Sequence, residues 1–241
     1  MIVLRSLLFA LVQAVTTPVF GSIALCIFFL NPFTRYRIIT IWSRIIIASA
    51  RAICGIRYRI LGAENIPDKP CIVMSKHQSA WETLAFHVIF PPQVTVVKKE
   101  LLRVPFLGWG LAMLSPIAVD RGSGTRALKQ LEEQGIERLK QGFWVIVFPE
   151  GTRTEPGKKV AYQPGGAWLA THSDATVLPV ALNSGEFWGR KAFLKRPGTI
   201  TVSIGKPIHP AGMKAGELNA RVETWIEQEM ARIASNPTDL R

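Results

Sequence analysis

Residues 71–90 read CIVMSKHQSAWETLAFHVIF, and the pattern changes character halfway. Residues 71–75 form a short apolar run with the composition of a strand. Residues 79–90 read as a helix, opened by Ser79 and Glu82 in the S-x-x-E spacing of a capping box. A strand, a short polar turn and a helix make a βα unit. The turn carries His77 just beyond the strand end, which is where open α/β sheets place their active sites.

The same alternation extends in both directions. Short runs rich in Val, Ile and Phe predict strands at 57–61, 71–75, 93–97, 116–120, 143–148, 176–181 and 199–204. Between them, 79–90 and 125–141 read as helices. In 214–234, Leu218, Val222, Trp225, Ile226, Met230 and Ile233 recur at the spacing of an amphipathic helix. Strands alternating with helices predict an α/β fold, a mixed, mostly parallel sheet of about seven strands flanked by helices. Internal repeats and low-complexity tracts are absent from the sequence.

Residues 1–56 differ. Residues 6–34 carry no charged side chain, and 6–30 are long enough to cross a hydrocarbon core of ~30 Å. Thr16, Thr17 and Pro18 interrupt that run, and a second apolar run at 38–50 is too short to span and contains Arg44. One kinked spanning helix and a hairpin of two half-inserted helices both fit. The expectation is a membrane-anchoring helical segment over 1–56 and a catalytic domain over 57–241. Arg35, Arg37, Arg44 and Arg51 after the span place that domain on the cytoplasmic side of the membrane.

The 241 residues carry a net charge of +12. Residues 1–60 hold seven arginines and no Lys, Asp or Glu, so the excess is concentrated in the apolar segment. Hydrophobic sequence with basic flanks reads as membrane before nucleic acid. The pI of 10.1 is the only feature favouring nucleic acid, since aromatic–basic interleaving and a recognition helix are missing. Cys26, Cys54 and Cys71 are odd in number and far apart. They fit neither a disulfide framework nor a zinc cluster, and read as buried free thiols.

His77 and Glu82 are the candidate catalytic pair: a carboxylate beside an imidazole fixes its tautomer and stabilises the imidazolium formed during proton transfer. On its own the spacing also fits a satisfied histidine, and Glu82 also fits a plain helix cap. Further along stand Val97-Lys98-Lys99-Glu100-Leu101, Ser115-Pro116-Ile117-Ala118-Val119-Asp120-Arg121, Phe148-Pro149-Glu150-Gly151-Thr152-Arg153 and Val177-Leu178-Pro179-Val180-Ala181. Arginine grips phosphate through a planar fork, and Gly151 permits close backbone approach in a tight turn. Pro179 within a strand marks an edge or a bulge. Other motif matches fail: Gly122 to Ala127 lacks the acidic residue that a dinucleotide site needs, and nucleophile-elbow, P-loop and H-E-x-x-H patterns are absent. His87, His172 and His209 read as structural or surface residues.

In order and spacing these blocks resemble the glycerolipid acyltransferase family, in particular the bacterial 1-acylglycerol-3-phosphate acyltransferases, over roughly residues 60–205. The resemblance implies that His77 is the general base and Glu82 its acidic partner. The family more often has Asn where Lys76 stands and Asp where Glu82 stands. It also implies that Arg121, Glu150, Gly151, Thr152 and Arg153 bind the acceptor phosphate, and that the Pro179 block supports the acyl donor or the fold. The implied reaction moves an acyl chain from acyl-CoA or acyl carrier protein to a lysolipid, giving phosphatidic acid. The donor is already activated, so no metal or other cofactor is expected. Alternative acceptors are glycerol 3-phosphate, another lysophospholipid and a lyso-ornithine lipid. A membrane-anchored lipid-binding protein without turnover is the non-enzymatic alternative.

Overall fold

The computed structural model describes residues 1–120, 122 and 124–234. Its seven strands are β1 (Ile56–Leu61), β2 (Ile72–Ser75), β3 (Gln93–Lys98), β4 (Ile117–Val119), β5 (Trp144–Val147), β6 (Val177–Leu182) and β7 (Gly198–Ile204). Each lies within a residue or two of its expected span. They form one sheet in the order β1-β7-β6-β2-β5-β3-β4. All neighbours pair in parallel except β6 and β7. The sheet is therefore mixed and mostly parallel, as expected. The C-terminal ends of β2, β3, β5 and β6 share one edge, and the chain leaves β2 toward β3 on one side but leaves its neighbour β6 toward β7 on the other, the geometry of a ligand-binding crevice.

Pro179 sits in a strand flanked on both sides, so the bulge reading is the one that holds. The step from Val177 to Val180 on β6 is opposed by the longer step from Ile208 to Ile204. The extra residue opens the ladder beside Pro179, whose carbonyl accepts from the Gly205 N–H at 2.9 Å.

Helices cover the sheet: α1 (Ile2–Cys26), α2 (Pro32–Cys54), α3 (Trp81–Ile89), α4 (Leu107–Met113), α5 (Thr125–Lys140), α6 (Gly165–Ser173), α7 (Ser184–Phe187) and α8 (Ala215–Ala234). Val73, Ile146, Leu178 and Val180 pack on one face of the sheet, whereas Met74, Val145, Val147 and Ala181 pack on the other. Leu218, Val222 and Ile226 of α8 are completely buried in that second core.

The two N-terminal helices form an antiparallel hairpin. Asn31 caps α2 by accepting the Thr34 N–H at 2.9 Å, with Pro32 in the first turn. Gly55 ends α2 in the left-handed region at φ 72°. Pro18 does not break α1, although it removes a backbone donor. The Thr16 and Thr17 hydroxyls bond back to the carbonyls of Val12 and Gln13, each at 2.7 Å. Trp42 Nε1 donates to Thr16 Oγ1 at 3.0 Å, binding the hairpin across its middle.

Residues 1–56 also share both cores, Phe9 and Ile46 in one and Ala24 and Ile39 in the other. By length and composition α1 can cross a membrane, yet Ser6, Phe9, Gly21 and Ala24 are buried along its inner side. Its outer side exposes Val3, Leu7, Leu11, Val15 and Val19 at four-residue intervals. Cys26, expected to be buried, is exposed at the end of α1, whereas Cys54 and Cys71 are buried.

Candidate active site

His77 lies two residues beyond β2. The Lys76 N–H donates to the Val180 carbonyl at 3.0 Å, so sheet pairing carries the chain to the residue before it. The backbone of His77 is then gripped on both sides. Its N–H donates to Glu150 Oε1 at 3.2 Å. Its carbonyl accepts from the Thr154 N–H at 2.8 Å and the Thr154 hydroxyl at 3.1 Å. The turn after β5 is thus the cradle of His77, and Gly151 permits that turn by adopting φ 68°.

The His77 ring stacks on Phe148, with centroids 3.9 Å apart. Its Nδ1 lies 2.9 Å from Glu82 Oε1. The same oxygen accepts the N–H groups of Gln78 and Ser79, each at 2.7 Å, while the Ser79 hydroxyl accepts the Trp81 N–H at 3.0 Å. Glu82 therefore both caps α3 and holds the imidazole; the two roles are not alternatives. Its other oxygen accepts from Ser184 Oγ at 2.7 Å, and the Gly185 N–H donates to the Gln78 side chain at 3.1 Å. A carboxylate on Nδ1 selects the tautomer protonated there and leaves the Nε2 lone pair for a reacting group.

Behind the loop lies a buried ionic cluster. Lys76 Nζ is 2.7 Å from Glu227 Oε1 and 3.4 Å from Glu150 Oε1. The Tyr162 hydroxyl donates to the same Glu227 oxygen at 3.1 Å. Burial raises the Glu150 carboxyl to about 7, against the attraction of Lys76. Among the described residues Glu150 Oε2 has no hydrogen-bond partner, so nothing on that side offsets the desolvation that raises the carboxyl.

Two cavities meet beside His77. A polar recess of about 280 Å³ is walled by His77, Phe148, Gly151, Thr152, Arg153 and Lys98, with Arg190 and Lys191 at its side. An apolar cavity of about 360 Å³ runs between α1, α2, α3 and α4, lined by Phe20, Trp42, Leu84, Leu107 and Leu111 among others. Thr83, Thr95, Val97, Leu101 and Arg153 belong to both walls, so the recess and the cavity adjoin. His87 faces the apolar cavity, and burial holds it neutral, down at about 4.

Of the residues expected to bind substrate, Gly151, Thr152 and Arg153 line the recess with His77. Glu150 does not: its side chain is buried and turned toward Lys76, where it positions the His77 loop. The His77 N–H and the Lys76 ammonium hold the carboxylate inward. Arg121 lies outside the described residues. Sequence reasoning missed Arg190 and Lys191, whose signal was the basic run Arg190 to Arg196. It also missed Thr154, Ser184 and Glu227, whose roles arise from contacts between distant segments.

A family model described as Acyltransferase matches residues 57–183. Over 236 residues the chain is 45% identical to a 1-acyl-sn-glycerol-3-phosphate acyltransferase of Pseudomonas aeruginosa, covering 96% of this chain and 92% of that one. It is 30% identical over 192 residues to the protein of the same description in Saccharomyces cerevisiae, covering 76% and 63%. The crystal structure of the 1-acyl-sn-glycerophosphate acyltransferase from Thermotoga maritima superposes with a TM-score of 0.80 at 24% identity, covering 98% of this chain and 97% of that one.

Proposed function

The chain belongs to the acyltransferase family, and from that premise we propose that it acylates the free hydroxyl of 1-acylglycerol-3-phosphate, using acyl-CoA or acyl carrier protein and giving phosphatidic acid. One observation carries this reading: the His77–Glu82 pair stands where a cationic recess adjoins an apolar cavity. A phosphorylated lipid and an acyl chain need those two environments side by side. The names of the Pseudomonas and yeast relatives support the same acceptor.

In the mechanism, Nε2 of His77 takes the proton of the acceptor hydroxyl as its oxygen attacks the thioester carbonyl. Glu82 stabilises the imidazolium that forms. The tetrahedral adduct collapses by breaking the carbon–sulfur bond, and the imidazolium returns its proton to the departing thiolate. General base catalysis of this kind supplies ~10²–10⁴-fold. Lys98, Arg153, Arg190 and Lys191 supply positive charge for the acceptor phosphate.

The α1–α2 hairpin lies in one leaflet, at the cytoplasmic face of a bacterial inner membrane. α1 is packed against the domain along its inner side, so a perpendicular crossing would carry packed protein into the hydrocarbon. Its outer strip of Val and Leu would gain ~1 kcal/mol or more per side chain on leaving water.

The test is a panel of acceptors with purified protein and each thioester donor, the products identified by mass. The reading predicts a diacyl product from 1-acylglycerol-3-phosphate and stoichiometric thiol release. Preference for glycerol 3-phosphate, another lysophospholipid or a lyso-ornithine lipid would reassign the acceptor. Absence of thiol release with every acceptor would leave a lipid-binding protein.

A further inference from the structure

The segment between α7 and β7 runs Trp188-Gly189-Arg190-Lys191-Ala192-Phe193-Leu194-Lys195-Arg196-Pro197. It holds four basic residues and no acid. Its tip exposes two adjacent large apolar side chains, Phe193 at 51% and Leu194 at 40%. Buried bonds nevertheless fix its shape. Lys195 folds inward, its Nζ donating to the carbonyls of Ala192 at 2.6 Å and Phe193 at 3.0 Å, and lies over the Trp188 ring. The inward lysine holds the tip in place and leaves Arg190, Lys191 and Arg196 as the exposed cations.

The segment is also fastened to α1. The Lys195 N–H donates to the buried Ser6 hydroxyl at 2.9 Å, and Trp188 meets Phe9 edge to face at 5.0 Å. Ser6 lies next to Leu7 on a helix whose outer strip is exposed and apolar. At the other end of the segment, Arg190 and Lys191 line the recess that contains His77. One rigid turn therefore joins the apolar helix to the mouth of the candidate site.

We propose that Arg190–Arg196 is a second membrane contact, in which Phe193 and Leu194 enter an anionic bilayer beside α1 and the cations lie among the headgroups. The proposal rests on the reading that α1 lies in a membrane. An apolar tip between cations fits an anionic lipid surface in both its chemistries, burial of the tip and attraction of the flanks. The consequence is positional: the recess mouth is held at headgroup depth, where the phosphate of a lysolipid lies.

The test uses full-length protein with Cys26→Ser, a single cysteine introduced at Leu7 or Phe193, and a bimane label. The protein is bound to vesicles of phosphatidylcholine and phosphatidylglycerol. Quenching is compared between nitroxide-labelled lipid and aqueous iodide. The proposal predicts lipid quenching and iodide protection at both positions. Lipid quenching at position 7 with iodide quenching at 193 would overturn the second contact and leave the α1 reading intact. Iodide quenching at both would overturn both. As an independent readout, Phe193→Ser with Leu194→Ser should lower turnover on substrate in anionic vesicles several-fold. Turnover on the same substrate in detergent micelles should be unchanged, and equal turnover in both settings would contradict the proposal.

Discussion

Lys76 Nζ on the strand-end loop lies 2.7 Å from Glu227 Oε1 on the C-terminal helix α8, in a largely buried ion pair that also reaches Glu150. Because Glu150 holds the N–H of His77, α8 is coupled to the position of the imidazole. Glu227→Gln should lower stability by about 1.5–3 kcal/mol and reduce kcat with little change in KM. Lys76→Met should cost more, since it strands two carboxylates. Denaturant melts and steady-state kinetics on both variants check this; a Lys76→Met protein as stable as wild type would refute it.

Glu150 gives a pH signature. Its native value of about 7 lies above its ordinary 4.5, so between these values the native protein binds a proton that the unfolded chain has released. Its contribution to stability is present in full below 4.5 and is lost as pH rises through 7. Glu150→Gln is neutral throughout. The Tm of wild type minus that of the variant should therefore fall as pH rises from about 4.5 to about 7 and then level off. His87 is common to both proteins and drops out of the difference. A difference independent of pH would refute the assignment.

Glu82 combines cap and partner on a single oxygen. Gln at 82 can keep the cap, accepting through its carbonyl oxygen, and can donate its amide to Ser184 Oγ. Glu82→Gln should then retain a near-native Tm while kcat falls sharply, because the charge facing the imidazolium is gone. Glu82→Asp keeps the charge but withdraws it by ~1 Å and should be intermediate. Full activity of Glu82→Gln would leave Glu82 a helix cap only.

Arg153 stands on the wall shared by the recess and the apolar cavity. Arg153→Ala should raise KM for the phosphorylated acceptor more than for the acyl donor, the pattern of a contact made in both ground and transition states. A change confined to the donor KM would move Arg153 to the donor side.

The inner strands β2, β5 and β6 were legible because each is a short apolar run buried along its whole length, which leaves such runs little choice of conformation. The His77–Glu82 geometry was legible because a loop residue and a first-turn residue are brought together by the helix start itself. Glu150 was misread because the direction of a side chain in a turn depends on its tertiary partners: the His77 N–H and Lys76 draw it inward. Those partners, and Glu227 beyond them, are many residues distant in sequence, so no local pattern announces them. Pro18 was read as an interruption because the two threonine back-bonds that accompany it through the helix turn leave no mark in hydropathy.

The central claim is that His77 Nε2 takes the proton of the attacking hydroxyl. Its most direct test is the single-turnover rate of diacyl product formation from 1-acylglycerol-3-phosphate and acyl-CoA, in wild type and in His77→Ala of matched Tm. The account predicts a loss of at least ~10²-fold with acceptor binding retained. A folded His77→Ala protein that forms product at close to the wild-type rate would contradict it.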